Sequence, residues 1–235
     1  ENIHFLKRFQ DGKAVDEILS ADNIQNVAVI GAGYIGVEIA EAAKRRGKNV
    51  LLFDAMKRSL PSYYDKWFTD DMDTILSEHG IDLHFGELAK EYKGEVKVES
   101  IVTDKGEYSV DLVINAIGFL PNNELGKDHL ELFKNGAYLV DLHQQTSDPN
   151  VYAVGDCATI YSNALQDTTY IALATNAVRS GIVAGYNVGG VTLESTGVQG
   201  SNGISIFGLH MVSTGLSVEA AAKNGIAVKY TDFED

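Results

Sequence analysis

Two stretches hold residues whose types and spacing could do chemistry. The first is "GAGYIG", with Gly31, Gly33 and Gly36. It follows the apolar run Val27 to Ile30 and opens a helical stretch, Tyr34 to Arg46. Gly47 stops the helix, and a second apolar run, Val50 to Phe53, ends in Asp54. In such a turn the first glycine permits the tight bend. The second lets a pyrophosphate approach the backbone, and the third lets helix pack on strand. The helix start adds unpaired N–H groups and a positive dipole end. Asp54 stands about 20 residues on, where a dinucleotide fingerprint has its acid. That carboxylate can accept both ribose hydroxyls of an adenosine and would repel a 2′-phosphate, which favours NAD over NADP. Lys57 and Arg58 lie just beyond and blur the preference. The turn does not choose between NAD and FAD, which share it. The plain alternative is a turn without ligand and a solvated strand-end acid.

The second stretch is "VYAVGDCATI", Val151 to Ile160. Gly155 allows a sharp turn after a strand, and the Asp156 carboxylate can accept a hydrogen bond from a sugar-like hydroxyl. Cys157 is the one cysteine of the chain, so an internal disulfide is excluded and a reducing compartment fits. It reads as a small, partly buried filler. His210, in "GLHMVS", reads as a packed or surface residue. No H-E-x-x-H or Cys/His spacing appears, so no metal is expected.

Several elements must position these residues. Apolar runs without alternation suit parallel strands buried on both faces. "KAVDEILSA" is helical, "YYDKWFTDDMDTILSEHG" is helical with a stop at Gly80, and "IDLHFG" is a strand. "EVKVESIVTDKGEYSVDLVINAIG" reads as antiparallel strands leading into a buried strand, Asp111 to Ile117. "AYLVD" and "VYAVG" are further strands, and "IALATNAVRSGIVAGYNVGG" is a helix. The tail from "TGVQG" gives strand, strand, helix and the start of another strand. The fold class is α/β: a three-layer, Rossmann-like domain with a parallel sheet and a β-meander.

The 235 residues suit one large domain or two modest ones. With 19 Lys and Arg against 33 Asp and Glu, the net charge is −14 and no basic cluster offers a nucleic-acid surface. The opening "ENIHFLKRFQ" lacks a signal-peptide layout, and no apolar run approaches the roughly 18 residues of a membrane span. The expected setting is cytoplasmic, with neither a nucleic-acid nor a membrane partner.

Three motifs in order, "VAVIGAGYIGVEIAEA", "AIGFLPN" and "VYAVGDCATI", resemble the flavoprotein pyridine nucleotide-disulphide oxidoreductases. "YIALATNAVRSG" and "GVQGSNGISIFGLHMVSTG" resemble the branch of NADH oxidases, NADH peroxidases and coenzyme A disulfide reductases. The resemblance implies FAD and NAD(H) as cofactors. It also implies a lead-in at 1–20, an NAD-binding domain at 21–118, the returning half of an FAD domain at 119–190, and the start of a dimer-interface domain at 191–235. A first glycine turn, a redox cysteine and an active-site histidine would lie in a preceding segment. Both chain ends are therefore expected to be missing, and no catalytic residue is expected in this chain.

Residue by residue, the resemblance makes Tyr34 an aromatic cover of the flavin, beside Ile35. It places Glu38 near the nicotinamide amide, although an acid in the first helical turn also suits the dipole. Tyr63 would lie against adenine, with Tyr64 as the adjacent candidate. Gly118 would admit the nicotinamide side to the backbone, with Pro121 and Asn122 shaping the crossover. Asp156 would hold the ribityl chain. Ala172, Leu173 and Ala174 would approach the flavin pyrimidine edge, with Thr175 as a possible cap, and Gly203 would approach the nicotinamide. The implied reaction is hydride transfer from NADH to FAD, then reduction of dioxygen to water, in a homodimer. Peroxide or coenzyme A disulfide as acceptor is the alternative within the family. A module that senses NAD without catalysis is the alternative outside it.

Overall fold

The computed structural model describes residues 2–233. They form two compact units: residues 2–118 with Gly203–Val212, and Phe119–Asn202 with residues 213–233.

The first unit opens with β1 (Ile3–Phe5) and α1 (Phe9–Leu19). The helix starts before Lys13, where the apolar spacing begins. Asp11 causes this by reaching back to accept the N–H groups of Lys7 (3.2 Å) and Arg8 (2.9 Å). There follow β2 (Asn26–Ile30), α2 (Tyr34–Arg45), β3 (Asn49–Asp54), α3 (Lys66–Glu78) and β4 (Ile81–Phe85). Then come β5 (Ala89–Lys93), β6 (Ser100–Thr103), β7 (Glu107–Ser109) and β8 (Leu112–Asn115). The strands β1-β8-β2-β3-β4 make one parallel sheet, and β5-β6-β7 make an antiparallel meander.

Strand alternation sorts the side chains into two cores. Val27, Val29, Leu52, Leu112 and Ile114 pack with Val15 and Leu19 of α1, Val37 and Ala40 of α2, and Met72 and Leu76 of α3. Ala28, Ile30, Phe53 and Val113 pack the other way, with Val98, Ile101 and Val110 of the meander. Both faces of the central strands are thus covered, which is why β2 and β8 are apolar without alternation. The fold is α/β in three layers: helices, parallel sheet, meander.

The second unit carries β9 (Ile160–Ser162), β10 (Asp167–Thr169) and α4 (Ala174–Val188). "AYLVD" and "VYAVG" do not form strands. Tyr138 makes single bridges to Leu132 and Ala158, and Tyr152 makes one to Gln145. Among the described residues they find no continuous ladder, only separate cross-links: Tyr138 N–H donates to the Cys157 carbonyl, Thr159 N–H to the Tyr138 carbonyl and Ala153 N–H to the Gln144 carbonyl. Further on lie β11 (Asn202–Ile206), β12 (Leu209–Ser213) and α5 (Val218–Lys223). Residues 224–233 form no strand, contrary to the sequence reading.

The β11–β12 hairpin differs from its expected place. The sequence groups it with 191–235, yet Ile204, Ile206 and Met211 pack into the helix-side core of the first unit. No helix among the described residues is long and apolar enough to cross a membrane.

Gly31 is the backbone position on which the sheet edge turns. Its φ is +101°, and a Cβ there would lie 2.9 Å from the Ala116 carbonyl oxygen. Gly31→Ala combines left-handed strain with a backbone collision and should cost at least about 2 kcal/mol. A urea midpoint equal to wild type would contradict this.

Candidate functional site

A cleft of about 360 Å³ opens at the carboxyl edge of the parallel sheet, wholly within the first unit. Its lining includes Ile30, Gly31 and Gly33 after β2, Asp54 to Met56 after β3, and Ala116 to Gly118 after β8. Leu60, Tyr63 and Glu87 close its sides. Ligands of open α/β sheets bind at this edge.

The glycine turn is held from three directions. Gly31 N–H donates to the Phe53 carbonyl (2.7 Å), Ala116 N–H to the Ile30 carbonyl (2.7 Å) and Leu60 N–H to the Ala32 carbonyl (2.9 Å). Asp54 adds a side-chain clamp. Its Oδ2 accepts Ala32 N–H at 2.6 Å and its Oδ1 accepts Met56 N–H at 2.7 Å. Asp54 is therefore not a solvated strand-end acid. Each carboxylate oxygen keeps a further lone pair, so a ribose hydroxyl can still be accepted. Gly33 caps α2 without a side chain, which leaves the first helical N–H groups without a side-chain acceptor from the cap. Gly36 lies under the turn, where a Cβ would meet the Gly31 carbonyl oxygen at 1.7 Å. Such a backbone accommodates a pyrophosphate.

Tyr63 is 39 % exposed and lines the cleft, whereas Tyr64 is 4 % exposed and belongs to the core. Between the two alternatives, Tyr63 is the one a ligand can reach. Tyr34 stands behind it, edge-on with ring centroids 4.6 Å apart, its hydroxyl 2.8 Å from that of Tyr64. Burial, then the Tyr64 hydrogen bond, push the Tyr34 phenol well up, so it stays neutral. Ile35 and Glu38 are exposed on α2 and line no part of the cleft. Glu38 falls in the second turn, not the first, because the cap is Gly33. Lys57 and Arg58 do not line the cleft either.

Glu87 carries no sequence motif, yet its carboxyl group is buried at the cleft wall. Thr103 Oγ1 donates to Oε1 at 2.5 Å, and His84 Nδ1 lies 3.2 Å from Oε2. Burial would raise this carboxyl group. The hydrogen bonds from Thr103, Tyr108 and His84 outweigh it and hold the group below its usual range. An acid one residue past the Gly86 turn that closes β4 is the only signal the sequence offered.

In the second unit a crevice gathers Gly155, Asp156, Leu173 and Ser180. Asp156 sits on a single 3₁₀ turn, Gly155–Cys157, with its side chain exposed. Tyr170 Oη donates to the Asp156 carbonyl oxygen at 2.7 Å. Burial, then the Asp156 charge, push the Tyr170 phenol up to about 12. Leu173 caps α4, Ala172 precedes it half-buried, and Ala174 is the first helical residue. Thr175 is thus inside the helix rather than its cap. Cys157 is half-buried, its Sγ 3.3 Å from the Val154 carbonyl oxygen. Gly203 lines neither crevice nor cleft.

A glycine turn at the carboxyl edge of a three-layer parallel sheet, with an acid closing it, defines a dinucleotide-binding α/β protein. Residues 1–181 match the family model of the pyridine nucleotide-disulphide oxidoreductases, and the chain belongs to that family. An NADH oxidase of Lactococcus lactis subsp. cremoris is 67 % identical over 100 % of this chain and 53 % of its own length. The structure of a water-forming NADH oxidase from Lactobacillus brevis, bound to NADH, superposes with a TM-score of 0.92 at 38 % identity, covering 96 % of this chain and 50 % of that one. An engineered water-forming NADPH oxidase, made from that enzyme by five substitutions and bound to NADPH, gives a TM-score of 0.90 at 36 % identity, covering 95 % of this chain and 49 % of that one. The chain spans about half the length of the curated relatives it matches.

Two outcomes follow from this geometry. Asp54→Asn presents an amide N–H₂ to either Ala32 N–H or Met56 N–H, and should cost about 1–3 kcal/mol in chemical denaturation. An unchanged midpoint would show the clamp to be idle. For Glu87, a folded carboxyl group below its unfolded value of about 4.3 stabilises fully above that pH. That stability is lost as pH falls through the folded value. Glu87→Gln should flatten the acid limb of a stability–pH curve, and an acid limb as steep as wild type would contradict the assignment.

Proposed function

We propose that this chain supplies the NAD(H)-binding part and half of the FAD site of a flavoprotein NADH oxidase that reduces dioxygen to water. The observation that carries this reading is the cleft itself. One opening collects Gly31, Gly33, Asp54, Tyr63 and Gly118, five residues separated by up to 87 positions in the chain. Bound flavin would supply the redox chemistry, accepting hydride from NADH and passing electrons to dioxygen; two NADH and two protons reduce one dioxygen to two waters.

The chain's own residues bind and orient. The glycine turn and the start of α2 would receive the pyrophosphate, and Asp54 the adenosine ribose. Tyr63 would flank the adenine, and Gly118 would leave room for the nicotinamide side. In the second unit, Asp156 would hold a flavin side-chain hydroxyl, and Leu173 at the start of α4 would meet the ring edge with Ala172 and Ala174 beside it. Tyr34, Ile35, Glu38 and Gly203 belong to the same proposal, on the resemblance alone.

The coenzyme choice has independent support. The five changes in the engineered NADPH oxidase replace a glycine, an aspartate, an alanine, a methionine and a proline. Those types recur here at the same spacing as Gly36, Asp54, Ala55, Met56 and Pro61. The last four line the cleft. NADH is therefore the proposed donor.

The test is oxygen uptake by the full-length, flavin-loaded protein with NADH and then NADPH, together with peroxide detection. The expected result is NADH-dependent uptake with no accumulating peroxide, weaker activity with NADPH, and lost flavin in Asp156→Ala. Cys157→Ser should keep most activity. Turnover of peroxide or of coenzyme A disulfide in place of dioxygen would shift the assignment within the family. Nucleotide binding without any turnover would leave a sensing module.

A further inference from the structure

Behind the cleft wall, two tyrosine hydroxyls and a backbone carbonyl form a directed chain, which a third tyrosine meets through its ring. Tyr64 is packed in the helix-side core, and its hydroxyl hydrogen can go to one acceptor only. The Met211 carbonyl oxygen lies 3.3 Å from that hydroxyl and can only accept. Tyr64 therefore donates to Met211. The 2.8 Å contact between the Tyr34 and Tyr64 hydroxyls must then run from Tyr34 as donor to Tyr64 as acceptor. Polarity is thus fixed from Tyr34 through Tyr64 to the hairpin carbonyl, and turning Tyr34 breaks its bond to Tyr64. The Tyr34 ring in turn meets Tyr63 edge-on, and Tyr63 faces the cleft.

The acceptor end is anchored. Met211 lies on β12, and Phe207 at the hairpin tip is clamped on the same unit. Phe207 N–H donates to Glu41 Oε1 at 2.8 Å. Its ring stacks on His79 at 4.0 Å, with the Arg45 guanidinium 5.4 Å from the ring centroid. A hairpin held at its tip by these contacts, and along its length by Ile204 and Ile206 in the core, presents the Met211 carbonyl as a fixed point.

We propose that Tyr64 is a positioning residue for the cleft: by linking Tyr34 to the Met211 carbonyl of the hairpin, its hydroxyl sets the tyrosine wall against which the dinucleotide binds. The proposal rests on reading the cleft as the NAD(H) site and goes beyond it, because Tyr64 touches no ligand and acts through Tyr34.

The experiment uses the full-length, flavin-loaded protein carrying 3-fluorotyrosine, with the Tyr34 resonance assigned by its loss in Tyr34→Phe. Tyr64→Phe removes one oxygen from a core ring and should hold the melting temperature within about 3 °C. It should shift the Tyr34 fluorine resonance and weaken NADH binding about 3- to 10-fold. In the Tyr34→Phe background the same substitution should add no further loss, since both act through one bond. An unmoved Tyr34 resonance, an unchanged dissociation constant, or additive losses would overturn the proposal. If the resonance moves while wild type itself fails to bind NADH, the hydroxyl chain stands and the dinucleotide reading of the cleft falls.

Discussion

The structure depends on how closely backbone can approach backbone at the carboxyl edge of the parallel sheet. β2 ends in a turn squeezed between the end of β8 and the first turn of α2. A Cβ on Gly31 would lie 2.9 Å from Ala116, and one on Gly36 1.7 Å from Gly31. Having no Cβ at those two positions lets strand ends and helix start converge at the edge where the cleft opens. Asp54 closes the arrangement from β3 by holding Ala32 N–H and Met56 N–H. The acid proposed to meet the ribose is also the acid that keeps the glycine turn in shape. On that proposal, binding and folding draw on one carboxylate.

Much of the first unit was legible in the sequence because its signals are local. Val27 to Ile30, the glycines, Tyr34 to Arg46 and Val50 to Phe53 announce strand, turn, helix and strand by composition and period alone. The acid at the end of β3 follows from spacing. The burial of β2 and β8 on both faces agrees with runs that are apolar throughout, as parallel strands covered on both sides must be.

What the sequence did not disclose depends on contacts distant in the chain. "AYLVD" and "VYAVG" have strand composition, but a strand also needs a ladder partner, and single bridges are all they find among the described residues. The β11–β12 hairpin was legible as a hairpin. Its packing on the first unit includes Phe207 against His79 and Glu41 and Met211 against Tyr64, contacts between residues distant in the chain that no local period records. Glu38 was placed one turn too early: in a helix opening at Tyr34, position 38 already falls in the second turn. Tyr63 and Tyr64 were indistinguishable as neighbours, and only burial separates the wall residue from the core residue. Glu87 had no motif because its environment comes from β4, β6 and β7 together.

The central claim is that the glycine turn, the Asp54 clamp and Gly118 form one nicotinamide-dinucleotide site. An amide NMR titration of the protein with NADH tests it most directly. The account predicts saturable shifts concentrated at Gly31 to Gly36, Asp54 to Met56, Tyr63 and Ala116 to Gly118, with much weaker effects from NADPH. Shifts centred elsewhere in the chain, or none at saturating NADH, would contradict it.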